Sequence, residues 1–300
     1  MPLPSVARNC IALRNTAWCA LGLVLAAISP AWGQYDVPYV PTDYNVVNTM
    51  LSVAGVNKND VLYDLGCGDG RIVIEAVKQR GVRKAVGIDI DPFRIRDSNA
   101  NAAKEGLTGR VEFREADIFK SDYRDATVIT MYLLDTIDVR LRPVFFETLK
   151  PGTRLVSNTF GMGDWDPDVT LWVTGEPGRP GHSVKFWVLP ANISGDWTFA
   201  AGGLAHTLHV EQKYQVVSGT MTVNGAAQAL SDMTLSGTQV QFSVRAPDGA
   251  VSRYHAAAEG EAMTGTIVSG ETTIDWRAAR TPKTMRTIIT EPTPDDYSGS

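Results

Sequence analysis

The feature that most restricts the fold is the alternation of short apolar runs with amphipathic helical patterns in the first half of the chain. Helical patterns at residues 71–79 and 92–104 separate apolar runs whose length suits single strands. Such an alternation predicts an α/β fold, a parallel sheet covered by helices on both faces. The predicted strands are residues 61–65, 85–90, 111–115, 126–131 and 154–158.

The pattern changes after Asn158. Apolar runs at residues 169–173 and 184–189 flank a loop rich in glycine and proline at residues 175–181, which predicts a hairpin. We therefore expect a first domain that covers residues 34–190 and ends in this hairpin.

A second domain of a different class is expected at residues 191–280. This stretch shows no helical period, and Asn224-Gly225 is a strong two-residue turn signal between alternating runs. It predicts a small all-β barrel or sandwich domain. Residues 281–300 contain three prolines and no periodic pattern, and they are expected to form a disordered tail.

A glycine-rich loop, Asp-Leu-Gly-Cys-Gly-Asp-Gly at residues 64–70, joins the first strand to the following helix. Glycines permit a tight turn and let a ligand approach the backbone, and the helix N-terminus favours a negatively charged group. A nicotinamide-dinucleotide site would follow Gly-x-Gly-x-x-Gly, but the residue three after Gly68 is Arg71. Taken alone, the loop leaves a plain turn open as the alternative.

Acidic residues follow three neighbouring strands of the predicted sheet. Asp64 and Asp89 end the first and second strands, and Asp117 lies just past the third. An acid at the second position can accept both hydroxyls of a ribose, and one at the third can meet an adenine amino group. Because ligands of open α/β sheets bind outside the carboxyl ends of the strands, this ordered set favours a ligand site over solvated loop residues.

These motifs resemble those of the class I S-adenosylmethionine-dependent methyltransferases, and the resemblance covers about residues 35–190. It is closest to one subfamily, which includes the mitochondrial protein-lysine methyltransferases of the ATP synthase c subunit and the adenine nucleotide translocase, with their bacterial relatives. The resemblance implies a Rossmann-like seven-stranded methyltransferase sheet that ends in an antiparallel hairpin. The motifs that carry it are residues 39–42 (Tyr-Val-Pro-Thr), 64–74, 128–134 and 154–160, followed by Trp165.

The resemblance also implies the cofactor S-adenosyl-L-methionine and a methyl acceptor that is an amine, with a lysine-bearing protein as the best interpretation. A small-molecule or O-methyltransferase is the competing enzyme hypothesis. Tyr39 and Thr42 would close over the bound cofactor, and Thr42 is also expected to cap the first helix. The residues implied to hold the cofactor are Asp64, Gly66, Gly68, Asp89 and Asp117.

Tyr132 follows the fourth strand, where the acceptor is expected, and it is the candidate catalytic residue because its hydroxyl could orient an amine. An ordinary packed tyrosine is the alternative. A lysine ammonium has no lone pair and must first lose a proton, which a partly desolvated site favours. The Asn/Asp-Pro-Pro-Tyr motif of methyltransferases that act on glutamine and adenine is absent, which counts against DNA or amide methylation.

Charge and histidine content argue against two further kinds of function. The chain has 28 Lys+Arg against 33 Asp+Glu, a net charge of −5, so no basic surface favours nucleic acid as a partner. All four histidines follow residue 181, and in a strand His206 and His209 would point to opposite faces, so no metal site is expected.

Residues 1–33 have the pattern of a signal peptide. An apolar run at residues 17–28 is too short for a spanning helix, and Ala-Trp-Gly at residues 31–33 places small residues where a signal peptidase reads. We expect cleavage before Gln34, with an uncleaved membrane anchor as the alternative. Either would place the protein in the periplasm or envelope, with membrane association through this segment.

Export and the implied cofactor disagree, because S-adenosylmethionine is made in the cytosol. If the true start of translation lies downstream, the protein is cytoplasmic. A further alternative is an exported, non-catalytic binding protein on a methyltransferase fold, which would normally have lost the cofactor acids. Asp64, Asp89 and Asp117 are all present, so catalysis is favoured.

Overall fold

Residues 37–175 and 177–297 are described by a computed structural model. The predicted signal peptide or membrane anchor at residues 1–33 lies outside these ranges. Among the helices of the described ranges, none combines the length and the apolar character that a membrane span requires.

The first part of the described chain alternates helices and strands, as the sequence pattern predicts. Strands β1 to β5 pair in parallel, whereas β7 pairs antiparallel with both β5 and β6, in the order β3-β2-β1-β4-β5-β7-β6. This confirms the Rossmann-like seven-stranded sheet with a terminal hairpin. The elements are α1 (Tyr44–Val53), β1 (Val61–Leu65), α2 (Arg71–Arg80), β2 (Lys84–Asp89), α3 (Pro92–Lys104), β3 (Glu112–Glu115), β4 (Val128–Met131), α4 (Asp135–Thr148), β5 (Arg154–Asn158), β6 (Val169–Val173) and β7 (His182–Val188).

Helices α3 and α4 show why one was predicted and the other was not. Helix α3 has Pro92 in its first turn, and the Asp91 side chain caps it by accepting a hydrogen bond from Phe93 N at 2.8 Å. Helix α4 encloses a proline and buries the polar side chains of Asp138 and Arg142. Those polar residues interrupt its apolar period, so the sequence pattern does not reveal it.

The second part is a closed barrel of eight antiparallel strands, which decides between the two predicted all-β architectures. Pairing of Arg280 with Trp197 joins the last strand to the first, and apolar side chains such as Phe242 and Met263 fill the interior. The strands are β8 (Gly195–Ala201), β9 (Leu204–Lys213), β10 (Val216–Val223), β11 (Ala226–Ser236), β12 (Gln239–Arg245), β13 (Val251–Glu259), β14 (Ala262–Ser269) and β15 (Thr272–Arg280).

The two histidines of β9 do lie on opposite faces of the strand. His206 is buried inside the barrel and stacks on Phe199, with ring centroids 4.6 Å apart. His209 lies on the outer face, where its Nδ1 is 2.5 Å from a carboxylate oxygen of Asp196. Their different surroundings follow from the alternation of side chains along a strand.

The segment predicted as a disordered tail makes specific contacts with α4 within its described residues, 281–297. The side chain of Arg142 on α4 is buried, and its Nε donates to Thr290 O at 2.9 Å. The same guanidinium forms an ion pair with Asp296, which belongs to the 3₁₀ turn Pro294–Tyr297. These contacts supply partners to an arginine that is buried and would otherwise be costly to remove from water.

The sheet and the barrel touch through a cluster of aromatic and polar side chains. Trp165, after β5, stacks on Tyr214 of the β9–β10 turn, with ring centroids 5.5 Å apart. Its Nε1 donates to Gln215 Oε1 at 2.7 Å, and Tyr214 OH donates to Asp164 at 2.7 Å. These contacts attach the barrel to the loop that follows the last parallel strand.

Candidate active site

The glycine-rich loop between β1 and α2 has a backbone that only glycine adopts easily. Gly66, Gly68 and Gly70 have φ of 76°, 54° and 80°, all in the left-handed region. A Cβ on Gly68 would come within 2.6 Å of the Tyr39 ring. The loop therefore combines a tight turn with close approach of another group to its backbone.

Residues 37–43, which precede α1 and form an N-terminal arm, lie across this loop. The Tyr39 ring covers Gly68 and has the guanidinium of Arg94 4.4 Å from its centroid. Arg71 Nη1 donates to the carbonyl oxygen of Thr42 at 2.7 Å, so the arm is fastened to the start of α2. The prediction that Thr42 caps α1 is wrong: the helix begins at Tyr44, so the N-cap position is Asp43, and its side chain makes no capping hydrogen bond. Tyr39 thus lies on the glycine loop and Thr42 beside the start of α2, and their closure over a bound cofactor stays a prediction.

Asp64, at the end of β1, is a buried carboxyl group. It is 2% exposed and accepts a hydrogen bond from Thr130 Oγ1 at 2.7 Å. Burial raises its pKa to about 7, and the charges of Asp89 and Asp69 act in the same direction. Across the described residues, no cationic side chain forms an ion pair with it. Such a group suits a ligand that brings its own positive charge.

Asp89, at the end of β2, faces the glycine loop. Its Oδ2 accepts a hydrogen bond from Gly68 N at 2.9 Å, and its Oδ1 accepts one from Asp91 N at 3.0 Å. Burial raises the pKa of Asp89, and the two backbone donors oppose that rise. Each oxygen keeps a second lone pair, so the carboxylate can still accept both hydroxyls of a ribose.

Asp117 follows β3 and lies next to Asp89, since Ala116 N donates to Asp89 O at 2.9 Å. Phe119 N donates to its side chain at 2.9 Å, and Lys120 forms an ion pair with it at 2.9 Å. The bond with Lys120 and the Phe119 amide lower the pKa of Asp117. The structure thus brings the three predicted acids to one edge of the sheet, at the ends of β1, β2 and β3.

Tyr132 lies at the end of β4 in an aromatic cluster that sequence reasoning missed. Its ring stacks on Phe160, with centroids 5.9 Å apart, and meets the edge of His182 at 6.0 Å. Burial raises the pKa of the Tyr132 hydroxyl, and the charge of Asp43 raises it further. Phe160 lies within the family motif at residues 154–160, but His182 carries no local signal, because it enters from β7.

The end of β5 adds unusual backbone and side-chain features to this cluster. Thr159 has φ of 71°, a strained conformation for a β-branched residue, and its Oγ1 is 3.3 Å from His182 Nδ1. Asn158 is fully buried, and its Nδ2 has no hydrogen-bond partner among the described residues. Features of this kind concentrate at functional sites.

Cys67 is the one thiol of the glycine loop, and it packs in the core. Its side chain is 5% exposed and lies beside Gly87 of β2. Burial raises the pKa of this thiol, and the charge of Asp64 adds to that rise. The thiolate that redox chemistry requires is therefore disfavoured.

The site fits a ligand that combines an adenosine with positive charge. The Asp89 carboxylate suits a ribose, Asp117 suits an adenine amino group, and the buried Asp64 suits an ammonium group. S-adenosylmethionine carries all of these, together with a sulfonium. The sheet with its antiparallel β7 and this site define the class of the molecule: it is an S-adenosylmethionine-dependent methyltransferase of the Rossmann-like type.

Comparison with known proteins identifies a family within this class of methyltransferases. The ANTKMT methyltransferase domain matches residues 64–169. A protein-lysine N-methyltransferase of Saccharolobus islandicus is 46% identical over 153 residues, which are 51% of this chain and 94% of that protein. The adenine nucleotide translocase lysine N-methyltransferase of Mus musculus is 30% identical over 167 residues, 56% of this chain and 69% of that protein.

A solved structure, an RNA methyltransferase from Salinibacter ruber in complex with S-adenosyl-L-homocysteine, is 46% identical in sequence. The match covers 50% of this chain and 93% of the chain of that structure, with a TM-score of 0.46. The chain belongs to the family of the ANTKMT methyltransferase domain. These relatives each match about half of it, and the domain match ends at β6, before the barrel.

Proposed function

We propose that this protein transfers the methyl group of S-adenosylmethionine to a lysine side chain of another protein. The observation that carries the proposal is the 46% identity over 94% of a relative named as a protein-lysine N-methyltransferase. The aromatic surroundings of Tyr132 support an acceptor whose reactive group is an amine on an apolar stem, because such a stem packs on aromatic rings.

On this proposal, bound S-adenosylmethionine supplies an electrophilic methyl group on a sulfonium. Asp64 holds the cationic amino-acid end, and Asp89 accepts hydrogen bonds from the ribose. Asp117 binds the adenine edge. The Tyr39 ring, which already covers Gly68, excludes water from this side of the site. Positioning by these groups supplies most of the rate enhancement.

The acceptor lysine must reach the site as a neutral amine. Aromatic rings around Tyr132 remove water, which lowers the pKa of an ammonium by disfavouring its charged form. The proton must leave to solvent so that the nitrogen lone pair is free to accept the methyl group that bound S-adenosylmethionine would supply. The Tyr132 hydroxyl orients the amine by accepting or donating one hydrogen bond.

The test is a methyl-transfer assay with tritiated S-adenosylmethionine, the full-length protein, and either total protein or total RNA from its own cells as acceptor. Label that appears in N-methyl-lysine after acid hydrolysis of the protein fraction supports the proposal. Label in RNA, or in other amino acids only, contradicts it. Asp89→Ala serves as the control for cofactor-dependent transfer.

We also propose that residues 1–33 direct the protein to the envelope, so that its acceptor is an envelope protein. Support comes from the sequence pattern alone: an apolar run at residues 17–28 and small residues at 31–33. The mass of the protein isolated from its own cells tests this. A chain that begins at Gln34 in the periplasmic fraction supports export, and a chain that begins at Met1 in the cytosol contradicts it.

A further inference from the structure

Asn158, the last residue of β5, carries a polar group that no other described residue satisfies. Its side chain is fully buried, and its Nδ2 has no hydrogen-bond partner within residues 37–175 and 177–297. Burial of an unpaired amide group destabilises a folded protein, and most buried polar groups therefore have partners. The amide lies at the carboxyl edge of the sheet, so a ligand bound at that edge is the partner to consider.

The side chain of Asn158 points to the same face of the sheet as the buried acid Asp64. Ser157 points to the opposite face, because its Oγ donates to a side chain of α4 at 3.0 Å. Val156, two residues before Asn158, packs with α1 and is in register with Thr130 of β4. Thr130 in turn donates to Asp64. The unpaired amide therefore shares a face with the group proposed to hold the cofactor.

Two hydrogen-bond contacts join Asn158 to the aromatic cluster around Tyr132. Thr159 Oγ1 donates to Asn158 Oδ1 at 3.1 Å and lies 3.3 Å from Nδ1 of His182. A hydroxyl has a single hydrogen, so in this arrangement His182 Nδ1 must be the donor toward Thr159. The His182 ring meets the ring of Tyr132, with centroids 6.0 Å apart.

The backbone holds the Thr159 hydroxyl between these two partners. Thr159 has φ of 71°, and its N donates to Ser183 O on β7 at 2.6 Å. A β-branched residue keeps such a conformation only where its surroundings enforce it. The contact between the end of β5 and the start of β7 is therefore a built feature of the fold.

The same three side chains permit a second arrangement of equal shape. An asparagine amide that turns about its last side-chain bond exchanges Nδ2 with Oδ1, which have nearly the same size. Asn158 then donates to Thr159, and Thr159 donates to His182 Nδ1. The first arrangement leaves a donor without a partner, whereas the second leaves an acceptor without one.

We infer that Asn158 binds the acceptor amine through Oδ1, and that this binding reverses the hydrogen bonds among Asn158, Thr159 and His182. A neutral amine has two N–H groups and one lone pair. Tyr132 accepts one N–H and Asn158 accepts the other, so the lone pair stays free for the methyl group. This inference rests on the proposed lysine acceptor and adds a residue that orients its nitrogen.

The experiment reads the position of the proton on the His182 ring. The full-length protein carries ¹⁵N-labelled histidine and bound S-adenosylhomocysteine, so that no turnover occurs, and n-butylammonium chloride serves as the probe. The chain has only four histidines, and His182→Gln identifies the signals of His182. The pH is about 8, well above the ordinary pKa of histidine.

We expect the proton of His182 to lie on Nδ1 without the probe and on Nε2 when n-butylammonium saturates the site. The two nitrogen shifts should exchange their values accordingly. Tetramethylammonium chloride has the same charge but no N–H group, and it should have no effect. Nitrogen shifts of His182 that do not respond to n-butylammonium, or that respond equally to tetramethylammonium, overturn the inference.

Asn158→Leu, which keeps the approximate shape but removes both polar atoms, tests the contact itself. It should weaken n-butylammonium binding by about tenfold or more, while retained S-adenosylhomocysteine binding shows that the variant is folded. The matched control is Asn99→Leu, at an exposed asparagine of α3, which should bind the probe as the wild type does. Wild-type affinity for n-butylammonium in Asn158→Leu contradicts the inference.

Thr159→Val removes the hydroxyl that links the amide to the imidazole and keeps the β-branched shape. The protein should still bind n-butylammonium, but the nitrogen shifts of His182 should no longer respond. A response that persists in Thr159→Val would rule out the reversal, because the link would then be unnecessary. The wild-type measurement depends on neither variant, so it decides the matter even if one of them does not fold.

These measurements are separate from methyl transfer. If n-butylammonium moves the His182 proton but no methyl-lysine forms in the transfer assay, the proposed function fails and the amine site stands. If methyl-lysine forms but His182 does not respond, the proposed function stands and this inference fails.

Discussion

At the carboxyl edge of the sheet, the acidic side chain of Asp64 is 2% exposed, and Asp89 faces the backbone of the glycine loop. In the barrel, by contrast, apolar side chains such as Trp197 and Phe242 fill the interior. The relatives match about half of the chain, and the domain match falls on the sheet. The sheet therefore buries an acid beside the glycine loop, where removal from water is costly, whereas apolar packing dominates the barrel interior.

The largest effect is expected in the barrel, where replacement of Trp197 by alanine tests the packing side of the comparison. The indole is fully buried, and its Nε1 donates to Ile193 O at 2.8 Å. Loss of the ring leaves a cavity, so the free energy of unfolding should fall by about 3–5 kcal/mol. Urea denaturation of the variant and the wild type measures this change in the free energy of unfolding.

The matched control is Thr198→Ala, the exposed neighbour on the same strand, which should stay within about 0.5 kcal/mol of wild type. A Trp197→Ala protein that loses less than about 1 kcal/mol would be at odds with a closely packed barrel interior.

The next largest effect concerns how the free energy of unfolding of the sheet domain depends on pH. Burial raises the pKa of folded Asp64 to about 7, whereas the unfolded chain keeps the ordinary lower value. Between these two pKa values the folded state binds more protons than the unfolded state. The contribution of Asp64 to the free energy of unfolding therefore decreases as the pH rises, and it becomes constant above about pH 7.

Asp64→Asn removes this dependence and can keep the hydrogen bond from Thr130. Without cofactor, its stability relative to wild type should therefore rise by roughly 2–4 kcal/mol between acidic and mildly alkaline pH. Denaturation at a series of pH values measures the difference. A difference that does not change with pH would show that Asp64 is not an unpaired buried acid.

A smaller effect is expected for Asp89→Ala, which separates ligand binding from stability. Loss of charge-assisted hydrogen bonds to the ribose should weaken S-adenosylmethionine binding by about 1–3 kcal/mol. Isothermal titration calorimetry with the full-length protein measures it. Wild-type affinity in this variant would mean that the ribose is held elsewhere. The control is Trp197→Ala, which should bind S-adenosylmethionine with normal affinity at a temperature at which this variant is folded.

The smallest effect is expected for the exposed ion pair between Lys120 and Asp117, just after β3. The lysine side chain is 83% exposed, so Lys120→Ala should change stability by less than about 1 kcal/mol. Cofactor affinity should also change little, because the lysine lies on the solvent side of the pair. A loss as large as that of Asp89→Ala would place Lys120 among the groups that touch the ligand.

Local sequence patterns were sufficient to predict the sheet and the acids at its edge. Strand–helix alternation, the glycine loop and the acids at successive strand ends are local patterns, and parallel strands bring their carboxyl ends to one edge. This pattern is why Asp64, Asp89 and Asp117 lie at neighbouring strand ends. Their roles toward the cofactor remain predictions until binding is measured.

Local patterns were not sufficient for the aromatic cluster around Tyr132 or for the closed architecture of the second domain. Tyr132 meets Phe160 and His182, and Asp43 meets Arg179, through contacts between distant parts of the chain. Closure of the barrel likewise depends on the pairing of its first and last strands. Local patterns specify which residues form an element, but the energy of packing between elements decides which side chains meet, and that energy depends on the whole fold.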